Sequence, residues 1–253
     1  MKHIKEVIRE KGFALGTFMA NFSQSQTEVF CVAGMDFLVF DTEHGSLGFT
    51  EIESLVRCTE LYGVSGFVRM PYINKKQIGR LFDIGAHGIQ MPMVHTAEQA
   101  LQVVDAVKYR PEGTRGIAMG RCNRWGTVAD YYAKSNRDTF VVCMCESQES
   151  VDNMEAICNV PGVDAVFVGT GDLSWDLGVN DPSHPEVEKR AVKVLEICQA
   201  NGVIPGITVG SVEETKRRIQ QGFQYLTLMN DMRLVAKLIT NIVDDVNSVA
   251  VRK

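Results

Sequence analysis

Eight short apolar runs, each followed by a helical pattern, constrain this chain more than any other feature. The runs fall at 14–18, 37–41, 66–70, 88–92, 140–146, 164–169, 204–209 and 225–229. Helical patterns follow at 24–33, 49–62, 75–82, 97–107, 148–158, 186–201, 212–221 and 232–249. Regular β-α alternation with eight strands predicts an α/β fold in which a parallel sheet closes into a (β/α)8 TIM barrel. Such a barrel takes about 250 residues as one domain, and this chain has 253. The expectation is therefore a single domain over 1–253.

Local signals agree with these boundaries. Gly34, Gly63, Gly85, Gly162, Gly202 and Gly222 each follow a helical stretch, where a left-handed C-cap favours glycine. Thr50 with Glu53, Thr96 with Glu98, and Ser211 with Glu214 read as helix N-terminal caps. One connection breaks the rhythm. Residues 110–138 carry Gly113, Gly116, Gly120 and Gly126, several arginines and Trp125. A loop of that length predicts a flap or an intersubunit contact.

Composition excludes several classes. Charged residues make up 23%, with 26 basic and 31 acidic side chains and a formal charge of −5. No basic block stands out, so neither nucleic acid nor an anionic membrane is expected as a partner. No apolar stretch reaches membrane-spanning length. The opening MKHIKEVIREKG reads as a charged amphipathic helix and lacks the apolar middle of a signal peptide. The seven cysteines are scattered and mostly lie in apolar runs, which predicts reduced thiols in the cytoplasm.

Chemistry-bearing residues cluster at strand ends. Glu146 closes the fifth run, and Asp172 follows the sixth in Gly169-Thr170-Gly171-Asp172. Carboxylates just past neighbouring strands converge on the mouth of a barrel. Two oxygen ligands there suit a hard divalent ion such as Mg²⁺, Mn²⁺ or Co²⁺, with positions left for water and substrate. Alternatively, Glu146 could cap the following helix and Asp172 could sit in a turn. The two glycines around Thr170 let backbone N–H groups approach an anion, such as a substrate carboxylate. Asp41-Thr42-Glu43-His44 ends the second strand, and His44 suits a proton shuttle that Asp41 or Glu43 could orient. Arg69 ends the third strand, where it could meet an oxyanion or pair with Glu43 or Glu146. Strand alternation predicts that Met144 and Val142 point inward with Glu146, while Cys143 and Cys145 face the helices. Met91, Met93, Met144 and Met229 are expected to pack the barrel, and His87 and His95 to lie at the surface. No lysine ends a predicted strand, which argues against a Schiff-base mechanism.

From about residue 12 to 238 the chain resembles the HpcH/HpaI family of metal-dependent pyruvate aldolases. The resemblance rests on Asp41-x-Glu43-His44, Val68-Arg69, Leu81-Phe82-Asp83-x-Gly85, Gln90-Met91-Pro92-Met93-Val94, Tyr109-x-Pro111-x-Gly113-x-Arg115-Gly116, Arg124-Trp125, Glu146 and Gly169-x-x-Asp172-Leu173-Ser174. It implies a barrel that assembles as a homo-hexamer, in a family that often swaps its last helix between neighbours. It implies Glu146 and Asp172 as metal ligands and His44 as a base acting through water. Arg69 would hold a keto oxygen, with Asp41 beside it. Asp83 would reach into an adjacent subunit's site, and the N–H groups of Gly171 and Asp172 would hold the carboxylate of a 2-oxo acid. The implied reaction cleaves a 4-hydroxy-2-oxo acid or a 2-dehydro-3-deoxy sugar acid to pyruvate and an aldehyde. Met144 stands where the family usually has Gln, and Thr170 where it has Pro. Two other readings remain: a decarboxylase or condensing enzyme on the same site, or a non-catalytic 2-oxo-acid-binding protein.

Overall fold

The alternation closes on itself. A computed structural model describes residues 2–249. Its strands are β1 (Ala14–Met19), β2 (Phe37–Asp41), β3 (Ser65–Arg69), β4 (Gly88–Met91), β5 (Phe140–Cys145), β6 (Ala165–Val168), β7 (Ile204–Val209) and β8 (Tyr225–Asn230). Each pairs in parallel with the next, and β8 pairs with β1. Closure leaves no strand edge exposed, so the fold is a (β/α)8 barrel.

The helices are α1 (Ile4–Lys11), α2 (Gln24–Val32), α3 (Phe49–Leu61), α4 (Lys75–Asp83), α5 (Ala97–Val107), α6 (Tyr131–Asp138), α7 (Gln148–Asp152), α8 (Met154–Cys158), α9 (Thr170–Asp176), α10 (Pro185–Ala200), α11 (Val212–Gln221) and α12 (Asp231–Val249). All six glycines expected at C-caps have a positive φ, as a left-handed turn into the next strand requires. Thr96 and Ser211 cap α5 and α11 as expected. Thr50 does not cap α3. The N-cap is Gly48, whose N–H donates to the Glu51 carboxylate at 3.1 Å. The helical stretch after β5 is two short helices that break at Asn153, whose side chain donates to the His95 carbonyl at 2.9 Å.

Period-2 alternation sorts the strand residues into two cores. Phe37, Val39, Phe67, Phe140, Val142, Met144, Phe167 and Tyr225 fill the barrel, closed from below by Ile4 and Ile8 of α1. Leu38, Phe40, Val68, Ile89, Cys143 and Cys145 pack outward against the helices. Four of these rings form two stacked pairs: Phe37 and Tyr225 with centroids 4.3 Å apart, and Phe67 and Phe140 at 5.5 Å. Glycine makes the room they need. A Cβ at Gly16 would stand 2.5 Å from the Phe37 ring. Each fully buried ring is worth on the order of 2–3 kcal/mol, so this layer gives Glu146 and Arg69 a rigid floor.

The segment between α5 and β5 is partly ordered by its own contacts. It contains a 3-10 turn (Arg121–Asn123) as well as α6. Buried Arg115 pairs with Asp83 at 2.7 Å and lies over the Tyr109 ring. Arg121 pairs with Glu60. Ile117, Met119 and Trp125 remain exposed. His87 is not a surface group: its Nδ1 accepts the Gly66 N–H at 2.9 Å, and its Nε2 faces Glu60 at 3.5 Å. It sits one residue before β4, where the neighbouring β3 backbone covers it. Among the described residues no helix is long and apolar enough to cross a membrane.

Candidate active site

At the C-terminal mouth a cavity of about 1130 Å³ is lined by Asp41, Arg69, Glu146, Thr170, Gly171 and Asp172, among others. Strand register explains the grouping. Asp41 and Arg69 are paired neighbours on β2 and β3. Glu146 continues the inward row of Phe140, Val142 and Met144. Gly169 lies beside it, its N–H donating to the Cys145 carbonyl at 3.1 Å.

Glu146 is 3% exposed. It does not cap the next helix, a role taken by Ser147. Its Oε2 accepts the Met93 N–H at 2.8 Å. Among the described residues it has no salt-bridge partner. Burial pushes its carboxyl up to about 7; the Met93 bond and Arg69 pull the other way, while Asp172 and Glu43 add to the rise. A buried carboxylate above an apolar floor, sharing its cavity with a second carboxylate, wants a cation. The donors are oxygens, which fit a hard divalent ion. Among the described residues no three or more His, Cys, Asp or Glu side chains gather at one point. The carboxylates of Glu146 and Asp172 both line the cavity.

Asp172 does not cap a turn; it lies in the first turn of α9, whose N-cap is Gly169. The N–H groups of Gly171 and Asp172 therefore belong to that turn, where no helical carbonyl precedes them.

Arg69 is clamped. Its Nε and one terminal nitrogen donate to the two oxygens of Asp41 at 2.9 and 2.6 Å. Its other terminal nitrogen meets Glu43 at 3.2 Å, and its guanidinium lies 4.6 Å from the Phe18 ring centroid. Burial lowers the guanidinium's pKa, and Asp41 and Glu43 more than offset it. Asp41 also accepts the N–H groups of Glu43 and His44, at 3.0 and 3.3 Å. It thus shapes the loop backbone and does not face the imidazole. The group facing His44 Nε2 is Glu43, at 3.6 Å. Burial raises the Glu43 carboxyl, with Arg69 the main opposing influence. The His44 side chain is 65% exposed and stands on the rim, outside the cavity lining.

Asp83 is not at this mouth. It ends α4 at the opposite end of the barrel and is held by Arg115. The methionines divide. Met91 is buried packing, Met144 is buried and lines the cavity together with Met229, and Met93 is 46% exposed with a left-handed backbone. Sequence reasoning missed the Met93 N–H and the Phe18 ring. Pro92 before Met93 was the available sign of a turn.

A (β/α)8 barrel with two carboxylates and a forked arginine at its mouth has the donor set of a site for an oxyanion and a divalent ion. The comparisons narrow that class. The profile of the HpcH/HpaI aldolase/citrate lyase family matches residues 14–237, and the chain belongs to that family. It is 36% identical over 211 residues to the hydroxypyruvate/pyruvate aldolase of Chromohalobacter salexigens, covering 82% of this chain and 83% of that one. It is 34% identical to the 5-keto-4-deoxy-D-glucarate aldolase of Escherichia coli, covering 90% of each. The crystal structure of an HpcH/HpaI aldolase from Desulfitobacterium hafniense superposes with a TM-score of 0.88 at 29% identity, over 98% of this chain and 97% of that one.

Proposed function

We propose that this protein is a divalent-metal pyruvate aldolase. It would cleave a 4-hydroxy-2-oxo acid or a 2-dehydro-3-deoxy sugar acid to pyruvate and an aldehyde, and run the addition in reverse. The observation that carries the reading is Glu146, a buried carboxylate without a salt-bridge partner among the described residues, lining one cavity with Asp172 and Arg69. Glu146 and Asp172 would hold Mg²⁺, Mn²⁺ or Co²⁺. Such an ion, when bound, supplies Lewis-acid stabilisation of charge developing on the keto oxygen. Arg69, fixed by the Asp41 fork, donates to the same oxygen. The N–H groups of Gly171 and Asp172, with Thr170 shaping the turn, bind the substrate carboxylate. His44, with Glu43 behind it, takes the C4 hydroxyl proton through a water. The electron pair of the C3–C4 bond moves towards C2–C3, the aldehyde leaves, and C3 is reprotonated to give pyruvate.

The reading extends to assembly. The exposed apolar residues of α12, including Leu238, Ile239, Ile242 and Val246, support a homo-hexamer with this helix swapped onto a neighbour. Seven free cysteines suit a reducing cytoplasm. The test is exchange of pyruvate methyl protons with heavy water. It should require a divalent cation and disappear with chelator or in Glu146→Gln; exchange that persists in either case overturns the assignment.

A second reading keeps the site and changes the reaction. Met144 is buried beside Glu146 and offers no polar contact there, which favours a decarboxylase or condensing enzyme. Oxaloacetate turnover without cleavage of any 4-hydroxy-2-oxo acid would support it.

A further inference from the structure

Among the described residues no side-chain cation pairs with Glu146, so something other than an ion pair must fix its orientation. Two backbone features on the flanking strand ends do this. Met93 has a φ of 51°, a left-handed conformation that a non-glycine residue keeps only where its surroundings impose it. The Met93 side chain is 46% exposed, so burial of that side chain is not what forces the turn. What the turn achieves is a 2.8 Å hydrogen bond from its N–H to Glu146 Oε2. On the other flank, a Cβ at Gly169 would stand 2.6 Å from Glu146 Oε1 and 2.7 Å from its Cγ. The φ of Gly169 is −86°, which any residue adopts. Glycine is therefore needed there for space and not for conformational freedom.

We propose that Met93 and Gly169 are positioning residues that grip the Glu146 carboxylate, between a backbone donor and a bare backbone face, in its cation-binding orientation. The inference rests on Glu146 being a ligand. The purified chain, stripped of metal, is titrated with Mn²⁺ and free ion is read by electron paramagnetic resonance. Gly169→Ala should raise the dissociation constant about 10- to 100-fold, the usual range for a lost contact supporting a metal ligand. Circular dichroism and melting of the metal-free variant establish that it is folded. If it is not, Gly169→Ala/Glu146→Ala serves, because removing Cγ and the carboxylate of Glu146 clears the added methyl. That double variant should fold and melt within a few degrees of Glu146→Ala, and one that stays unfolded while Glu146→Ala folds overturns the grip. Exchange of the Met93 amide proton, followed by NMR, should be at least about tenfold faster in Glu146→Asp than in the wild type. A folded Gly169→Ala with wild-type affinity, or an unchanged Met93 exchange rate, overturns the grip. Glu146→Gln separates the two readings. If it loses Mn²⁺ while Gly169→Ala keeps it, the grip alone fails; if it keeps Mn²⁺, the ligand reading fails as well.

Discussion

The Glu146 carboxyl is where the energetics of single residues are plainest. Burial is the largest influence on it and pushes it up to about 7. A raised acid stabilises the fold while protonated, so its contribution is complete below the unfolded carboxylate range and lost as pH climbs through about 7. In chelator, Glu146→Gln should therefore melt higher than the wild type at pH 8, by on the order of 1–3 kcal/mol, with the gap closing near pH 5. Melting curves across that range check it, and a wild type that is the more stable at pH 8 sinks it. Arg69 gives a second prediction. Lysine keeps the charge but has one nitrogen in place of the planar fork that holds Asp41 and Glu43 together. Arg69→Lys should lower kcat roughly 10²- to 10³-fold, the scale of losing an oxyanion donor. Steady-state kinetics with saturating metal measure it; a KM change with kcat intact would assign Arg69 to substrate affinity alone.

Among the elements, strands and their ends are what the sequence made legible. β2 and β7 run over the expected residues, and the others differ by one residue at one or both ends. Period-2 alternation placed Val142 and Met144 inward and Cys143 and Cys145 outward. Strand ends were equally readable, which is why Asp41, Arg69, Glu146 and Asp172 could be gathered in advance. What escaped had no periodic signal. The α6 sequence YYAKSNRD lacks a helical apolar stripe, and α9 begins with Thr170-Gly171, which reads as a turn. The Met93 donor escaped because it depends on a backbone angle. The inner face yields a prediction at this scale. Gly16 on β1 leaves room for Phe37 on β2, and an added Cβ would also stand 2.5 Å from the Phe37 carbonyl oxygen. That oxygen belongs to the sheet and cannot swing aside. Gly16→Ala should cost about 1–3 kcal/mol, and thermal melting should show a fall of several degrees. Unchanged stability would mean that the barrel wall yields more readily than its register suggests.

For the whole molecule the telling residue is Asp83. It lies at the end of the barrel opposite its own mouth, its carboxylate held by Arg115 at 2.7 Å. No side-chain motion carries it through the packed interior, so any part it has in chemistry is played in another copy of the chain. The uncovered apolar side chains of α12 give the copies a reason to associate, since each is worth about 1.5–3 kcal/mol when fully buried. A mixing experiment follows. Asp83→Asn keeps an oxygen acceptor for Arg115 while removing the negative charge, and Glu146→Gln removes a proposed ligand. Each variant alone should have little activity. Unfolded together and refolded into mixed assemblies, they should regain about a quarter of wild-type activity: a working site needs Glu146 from one subunit and Asp83 from its neighbour, each present half the time in random mixing. Aldol cleavage measured before and after exchange reads this out, with light scattering to show that mixed assemblies form. If mixed assemblies gain nothing over the separate variants, each site is built from one chain, and Asp83 serves only to anchor Arg115.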